Sequence, residues 1–194
     1  MGARCAARPS GDPKRAVGHE NSTDLTQPIR RERAPDHRGL CHRPPHADGD
    51  EAALVARLRH SATYRSADDV VALSDDGTLI GHALLSQAAV VGPTHEWPVF
   101  VLAPLAVHPD WQGQGVGSAL LTYLAVQAGE DARRAIAILG DPGYYGRFGY
   151  QPARDFGVTA PFAVPDANLM LKAIVPGGLT GVSGTLRYDP AFGL

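Results

Sequence analysis

The sequence predicts a single α/β domain, an α+β fold in which helices cover a mixed β-sheet, and three observations carry this prediction. Two β-rich runs, "VVALS" and "TLIGHALLSQAAVV", flank Asp76-Gly77, a dipeptide typical of tight hairpin turns. The run "VFVLAPLAV" over residues 99–107 is almost continuously apolar, which predicts a strand buried on both faces. Directly after this strand, "QGQGVG" leads into a run that predicts a helix over residues 115–129.

The remaining elements follow from shorter patterns. "EAALVARL", residues 51–58, predicts an amphipathic helix that Asp50 caps. "AIAIL" predicts a strand, and "DPGYYGRF" predicts a short helix with Asp141 as its cap. "NLMLKAI" and "GVSGTLRY" predict two late strands. Within the buried strand, Pro104 has no amide hydrogen, so we expect a bulge or a local separation from one neighbouring strand.

The N-terminal region differs in composition from the rest of the chain. Residues 1–27 are rich in Pro, Gly, Ser, Asp and Arg without apolar periodicity, which predicts a disordered extension before a domain at residues 28–194. The segment "HRGLCHRPPHADG", residues 37–49, predicts a loop because of its two prolines. His42 and His46 have the spacing of helical metal ligands, but the intervening prolines and the lack of a third ligand argue against a metal site.

Composition and charge argue against several classes of protein. The net charge of −2 over 194 residues gives no general reason to expect a nucleic-acid partner. The arginines that follow Ile29 are interrupted by Glu32 and predict a solvated flank. The two cysteines, Cys5 and Cys41, are too few for a disulfide framework, and no apolar run reaches the roughly 20 residues of a membrane helix. The N-terminus also lacks a secretory signal. We therefore expect a cytoplasmic protein with no membrane partner.

The glycine-rich turn predicts an anion-binding site. Amides at a helix N-terminus have no intrahelical partners, and the helix dipole adds about half a positive charge there. Lysine is absent between Lys14 and Lys172, which excludes the phosphate loop of nucleoside triphosphatases. A dinucleotide fingerprint matches at Gly113 and Gly115, but Ser118 stands at the third glycine position and the turn comes late in the chain. A dinucleotide-binding oxidoreductase therefore stays an alternative.

Three stretches together resemble one family. "QGQGVG" has a Gln/Arg-x-x-Gly-x-Gly/Ala pattern. "AILGDPGYYGRFGYQPA" contains a strand followed by a tyrosine helix and a Gly-aromatic turn, and "GGLTGVSGTLRYDPAF" forms the C-terminal tail. In this order they resemble the GCN5-related N-acetyltransferases (the GNAT superfamily), in the branch often called YhbS-like predicted acetyltransferases. The resemblance covers residues 29–192. It implies a GNAT fold with a splayed pair of strands, acetyl-CoA as co-substrate and no metal. It also implies an acyltransferase that moves an acetyl group to a primary amine, of a small molecule or peptide, by direct attack in a ternary complex.

The resemblance also assigns residues. Tyr145 would act as the general acid that protonates the departing thiolate. The coenzyme pyrophosphate would be bound by the backbone of Gln112, Gly113, Gln114, Gly115, Val116, Gly117 and Ser118. The pantetheine arm would be bound by the backbone of Leu105, Ala106 and Val107. Family members usually carry a further helix where residues 37–49 stand, so a working acceptor pocket is an open question at this point. A homodimer is possible for the fold.

The general base is the least determined part of the site. Glu96 precedes the buried strand and is one candidate, although a solvated loop carboxylate is the commoner case. The position of His82 within a strand is typical of a histidine on the face of a sheet. His108 has the position of a residue that starts a turn, and Asp141 has the position of a helix cap. Tyr144 is expected to pack. The rival from another class is a non-catalytic acyl-CoA-binding or sensor module that keeps the loop without acceptor chemistry.

Overall fold

The computed structural model describes residues 29–30 and 51–194 of the 194-residue chain. The predictions made for residues 1–27 and 37–49, for the arginine side chains that follow Ile29, for the two cysteines and for the Asp50 cap lie outside the described residues. Among the helices described, none is long and apolar enough to cross a membrane.

The described part of the chain contains nine strands and three α-helices. The strands are β1 (Ile29–Arg30), β2 (Asp69–Leu73), β3 (Leu79–Val91), β4 (Glu96–Val107), β5 (Ala135–Leu139), β6 (Gln151–Pro152), β7 (Val158–Thr159), β8 (Leu169–Ala173) and β9 (Gly184–Arg187). The α-helices are α1 (Glu51–Arg59), α2 (Val116–Glu130) and α3 (Pro142–Tyr145). Short 3-10 turns occupy Ser66–Asp68, Pro109–Trp111, Gly146–Phe148, Ala153–Phe156 and Pro190–Phe192.

The strands form one mixed sheet in the order β1-β2-β3-β4-β5-β8-β6, while β9 pairs with both β3 and β7. β2 and β3 pair antiparallel across the Asp76-Gly77 turn, so the predicted hairpin is confirmed. β4 and β5 run parallel because α2 carries the chain back between them. The predicted mixed sheet with flanking helices is confirmed.

Two apolar cores lie on opposite faces of the sheet. One core packs against α2 and includes Leu85, Ile136 and Leu120. The other includes Val101 and the neighbours of Ile136 on β5, whose side chains point the opposite way because side chains alternate along a strand. Both faces of the central strands are therefore buried, which explains the near-continuous apolar sequence of β4.

β4 and β5 separate after a short stretch of pairing. Phe100 pairs with Ile136 and Val101 with Ala137, and no later pair joins the two described strands. On its other edge, β4 stays paired with β3, but Ala103 and Pro104 together stand opposite the single residue Leu84. The sequence predicted a bulge or a separation at Pro104, and the structure confirms both. The edge of β4 beyond residue 101 is thereby left open toward β5.

A cluster of buried polar side chains joins α1 to the face of the sheet on which it packs. Asp69 on β2 is fully buried and accepts hydrogen bonds from His82 Nε2 (2.6 Å), Arg59 Nε (2.7 Å) and the Tyr64 hydroxyl (3.0 Å). Burial alone would raise the pKa of Asp69, but the hydrogen bonds from His82 and Arg59 outweigh it and lower the pKa to about 2. His82 is therefore a satisfied core histidine, as its mid-strand position suggested.

We expect Asp69→Asn to lower the free energy of unfolding by about 3 kcal/mol, because it leaves the Arg59 charge without its buried partner. Since the folded-state pKa of Asp69 lies below its unfolded value, its stabilising contribution is present above about pH 4 and is lost as the pH falls toward 2. Urea unfolding between pH 2 and pH 7 measures both effects. A variant with the wild-type midpoint at pH 7 would contradict this role.

Candidate active site

A cavity of about 570 Å³ lies between the open edge of β4 and the N-terminus of α2. It is bounded by one residue of α1, the end of β4, the glycine-rich loop and the α3 turn. Its lining residues are Glu51, Pro104, Leu105, Ala106, Val107, Trp111, Gln112, Gly113, Gly115, Val116, Gly117, Ser118, Tyr144 and Arg147. The structure thus brings together most of the residues that the sequence predicted for the cofactor site.

Local bonds and backbone angles fix the glycine-rich loop. Gly113 and Gly115 have φ of +73° and +89°, in the left-handed region that glycine adopts without strain. Gly115 is also the residue that precedes α2. The Gln112 side-chain amide donates to the Val107 carbonyl (3.1 Å), which ties the loop back to the end of β4. The loop therefore turns tightly and keeps its backbone against the cavity.

The loop and the first turn of α2 carry a run of free amides. Within residues 51–194, no hydrogen bond is donated by the backbone amides of residues 113–118, and the first amide to bond is that of Ala119, to the Gly115 carbonyl (2.9 Å). The Gln112 amide donates to the Pro109 carbonyl (3.2 Å), so it is not available as predicted. Six consecutive donors at a helix N-terminus form a site for an anion with several oxygens.

One cation and one carboxylate line the cavity within the described residues. Arg147 Nε donates to the Tyr144 carbonyl (3.2 Å), and its guanidinium lies 4.8 Å from the centre of the Tyr144 ring. This side chain is held beside the loop and adds positive charge near the free amides. The carboxylate belongs to Glu51, the first residue of α1.

The open edge of β4 presents backbone groups to the same cavity. The His108 amide donates to the Ile80 carbonyl (2.8 Å), which marks a hydrogen-bonded pair with β3. Because bonded and non-bonded pairs alternate along an antiparallel ladder, Leu105 and Val107 turn their amide and carbonyl groups away from β3. The Leu105 amide and carbonyl and the Val107 amide face the gap toward β5, where they can bond an extended ligand or a carbonyl oxygen. The Val107 carbonyl already accepts from the Gln112 side chain, and the Ala106 groups are turned toward β3, so these are not available as predicted.

Tyr144 and Tyr145 point in different directions. Tyr144 packs against the core as predicted, and it also lines the cavity, where its hydroxyl lies 2.8 Å from the place of a Cβ on Gly117. Tyr145 does not line the cavity; its ring packs on Gly140 and meets the Tyr144 ring edge-on at 4.9 Å between centroids. Burial, followed by the nearby Tyr144 and Asp141, raises the pKa of Tyr145 to about 12.

The structure places Glu96 away from this site. It is the first residue of β4, whereas the cavity is lined by the last four residues of that 12-residue strand. Its two carboxylate oxygens accept hydrogen bonds from Arg187 at 2.7 and 2.6 Å, and these bonds lower its pKa. An ion-paired carboxylate at the far end of the strand does not fit the base suggested from the sequence. Asp141 caps α3 by accepting from the Gly143 amide, as predicted.

Sequence reasoning missed two side chains of the cavity, Arg147 and Glu51. Arg147 stands three residues after Tyr144, a spacing that places two side chains of a helical turn side by side and could have suggested their contact. Trp111, whose apolar character suits a core or a cleft wall, lines the cavity. No local signal marks Glu51, because its approach to β4 depends on how α1 packs on the sheet. Within the described residues, no group of three or more His, Cys, Asp or Glu side chains could hold a metal ion.

A sheet that opens between two strands, with an amide-rich loop leading into a helix beside the opening, is the architecture of a class of coenzyme-A-dependent acyltransferases. Residues 66–152 match the model of the acetyltransferase (GNAT) domain. The chain is 35% identical over 145 residues to the uncharacterized N-acetyltransferase YjhQ of Escherichia coli K12, covering 72% of this chain and 79% of that protein. It is 30% identical over 142 residues to YhbS of the same strain, covering 73% and 83%. The chain therefore belongs to the GNAT family and is an acyltransferase.

Solved structures agree with this assignment. A crystal structure of the GNAT family N-acetyltransferase YhbS from Escherichia coli, in complex with CoA, matches with a TM-score of 0.76 at 27% identity, covering 87% of this chain and 92% of that one. A GNAT family acetyltransferase from Brucella melitensis, in complex with acetyl-CoA, matches with a TM-score of 0.66 at 26% identity, covering 86% and 97%. The GNAT fold is thus shared over most of the chain.

We expect Gly140→Ala to lower the free energy of unfolding by about 1–3 kcal/mol, because a Cβ there would overlap the Tyr145 ring. Gly146→Ala is the matched control, since Gly146 has right-handed backbone angles and open space around its Cβ position. The control should be neutral or slightly stabilising. Urea midpoints of both variants measure the difference, and equal midpoints would refute the packing of Tyr145 on Gly140.

Proposed function

We propose that the protein is an acetyl-CoA-dependent N-acetyltransferase that transfers the acetyl group to a primary amine by direct attack in a ternary complex, and that its catalytic domain spans residues 28–194. The observation that carries the proposal is the run of free amides at residues 113–118 beside the open edge of β4. The two similar structures in complex with CoA and with acetyl-CoA support the choice of coenzyme.

The diphosphate of the coenzyme would lie on the free amides. Its negative charge complements the N-terminus of α2 and the Arg147 guanidinium. The bare backbone leaves room there: the space around a Cβ on Gly113 is open, and a Cβ on Gly117 would lie 2.8 Å from the Tyr144 hydroxyl. Gln112 would contribute through its side chain, which orders the loop, and the amides of the next six residues would contribute the bonds.

The pantetheine arm and thioester would lie along β4. The outward-facing amide and carbonyl of Leu105 and the Val107 amide can pair with the amides of pantetheine as a neighbouring strand would. When an amine attacks the thioester, the carbonyl oxygen gains negative charge, and a β4 amide directed at that oxygen stabilises it. Holding the two substrates in one cavity supplies much of the remaining rate enhancement.

Tyr145 is our proposed general acid. Its hydroxyl is protonated at neutral pH, as that of any tyrosine is, so it can donate a proton to the leaving thiolate. Burial, which raises its pKa to about 12, makes it a weaker acid than a free tyrosine. Its ring edge contacts Tyr144, which lines the cavity, and its packing on Gly140 holds it at the end of β5 beside the gap. Tyr144, whose hydroxyl lies at Gly117, is assigned to the wall of the coenzyme site.

Gly113→Glu should weaken acetyl-CoA binding about 30-fold or more, because it places a carboxylate among the donors that would face the diphosphate. Gly77→Glu is the matched control: its φ of +84° is close to the +73° of Gly113, and its Cβ position is equally open, but it stands in the β2–β3 turn. Calorimetric titration with acetyl-CoA measures both affinities. Equal losses of acetyl-CoA affinity in the two variants would show that the loop is not part of the coenzyme site.

Tyr145→Phe should lower kcat by about 100-fold while leaving the KM for acetyl-CoA within about twofold, because it removes only the proton donor. Tyr144→Phe should instead raise that KM with a smaller change in kcat. Steady-state release of free thiol with a reactive amine measures both constants. If Tyr144→Phe carried the loss of kcat, the proton donor would be Tyr144.

A further inference from the structure

The cavity reaches both faces of the sheet through the gap between β4 and β5. The position of Gly81 on β3 faces α2, because a Cβ there would touch the side chains of Val116 and Leu120. The next residue, His82, must face the opposite side, where it bonds Asp69. Asp69 in turn bonds Arg59 of α1, so α1 lies on the face opposite α2.

Glu51 therefore approaches the cavity from the face opposite the coenzyme loop. It is the first residue of α1, yet it lines the same cavity as Gly113 and Gly117 of the loop and first turn of α2. Ala106 pairs directly with His82, so its side chain points to the α1 face as well. Coenzyme A would thus extend to the gap from the α2 face and place its thioester beside Ala106 and Val107. Glu51 would approach the same thioester from the α1 face.

The charge pattern gives the α1 end of the cavity a chemical preference. Among the lining residues described, Glu51 is the one carboxylate, and the other titratable side chains are Tyr144 and Arg147 on the α3 turn. On its own helix, the charged groups Arg57 and Arg59 stand in the last turn. No described residue forms a hydrogen bond or ion pair with the Glu51 carboxylate, which leaves its oxygens free for a cationic ligand.

We propose that Glu51 is the acceptor-side carboxylate: it binds the ammonium form of a primary amine that enters from the α1 face, and it takes the proton that the amine must lose. This inference rests on the proposed acetyltransfer and adds to it the direction from which the amine enters and the residue that receives its proton. A partly buried carboxylate that has no partner among the described residues and lines the proposed thioester site is suited to both tasks, since it attracts the cation and accepts its proton.

The reaction balances with groups that the proposal names. The ammonium loses one proton to the Glu51 carboxylate or to water, and the neutral nitrogen attacks the thioester carbon, forming the N–C bond. The C–S bond breaks, and the thiolate takes a proton from Tyr145. Glu51 releases the first proton to solvent, takes the extra proton from the nitrogen and passes it to solvent as well, and Tyr145 is reprotonated from solvent. The ammonium form of the amine and acetyl-CoA thus give amide, free CoA and one proton, with no redox change.

The other candidate bases are engaged elsewhere. Glu96 is held by two hydrogen bonds from Arg187 at the opposite end of β4. His82 donates to the buried Asp69 carboxylate, because an ionised carboxylate can only accept, and its ring does not line the cavity. Neither group can reach an amine at the gap without breaking a buried or bidentate contact.

Glu51→Gln tests the proposal, with Glu130→Gln as the matched control, since Glu130 is an exposed carboxylate at the end of α2 outside the cavity. The acceptors are phenethylamine, spermidine and a lysine-containing peptide, each followed by free-thiol release. We expect Glu51→Gln to lower kcat/KM for the amine about 100-fold at pH 7, with acetyl-CoA affinity within about twofold of wild type. Glu51→Asp should keep more activity than Glu51→Gln, and Glu130→Gln should match wild type.

The pH dependence separates proton acceptance from a structural role. As the pH rises from 7 to 9.5, more amine arrives already neutral, so the wild-type to Glu51→Gln ratio of kcat/KM should shrink by about tenfold. Tyr144 and Arg147 are the same in both proteins and cancel in this ratio. A ratio that does not change with pH, or a Glu51→Gln variant as active as Glu130→Gln, would overturn this inference and leave the proposed acetyltransfer standing.

Three further outcomes have distinct meanings. Loss of acetyl-CoA binding in Glu51→Gln would assign Glu51 to the coenzyme site and overturn its acceptor role. Wild-type protein that binds acetyl-CoA and acetylates none of the amines would overturn both this inference and N-acetyltransfer, leaving coenzyme binding. Wild-type protein that binds no acetyl-CoA would overturn the proposed function itself.

Discussion

The whole site depends on one interruption of the sheet. β4 is held to β3 along its length but to β5 by two residue pairs only, and beyond Val101 its second edge has no strand beside it. Unpaired backbone groups are costly when buried, so an open edge inside a sheet persists only where water or a ligand meets it. The bulge at Ala103 and Pro104 lies where the two strands part. The cavity, the exposed β4 groups and the access from both faces all follow from this gap.

The glycine-rich loop supplies the second part of the site, next to the gap between β4 and β5. The chain leaves β4, makes a 3-10 turn over Pro109–Trp111 and enters α2 with six amides still unbonded. These donors and the helix dipole stand at one end of the open edge, so a ligand with a diphosphate and an extended amide-bearing arm would meet both at once. The loop alone would suit many anions, and the adjoining strand edge favours an anion that also carries an extended, amide-bearing arm.

Features that depend on local sequence were predictable, and features that depend on packing were not. The Asp76-Gly77 hairpin, the Pro104 bulge and the Asp141 cap each follow from the backbone chemistry of a few residues, and all three are present. Glu96 was misplaced because strand length and the Arg187 pairing are tertiary facts. Glu51 was missed for the same reason, since its helix reaches the cavity only through the way α1 packs on the sheet.

The most direct test of this account is a crystal structure of the protein with acetyl-CoA. It predicts diphosphate oxygens within hydrogen-bonding distance of several amides among residues 113–118, with the thioester carbonyl beside the open edge of β4 near Val107. Diphosphate bound elsewhere on the surface, with those amides covered by protein side chains, would contradict it.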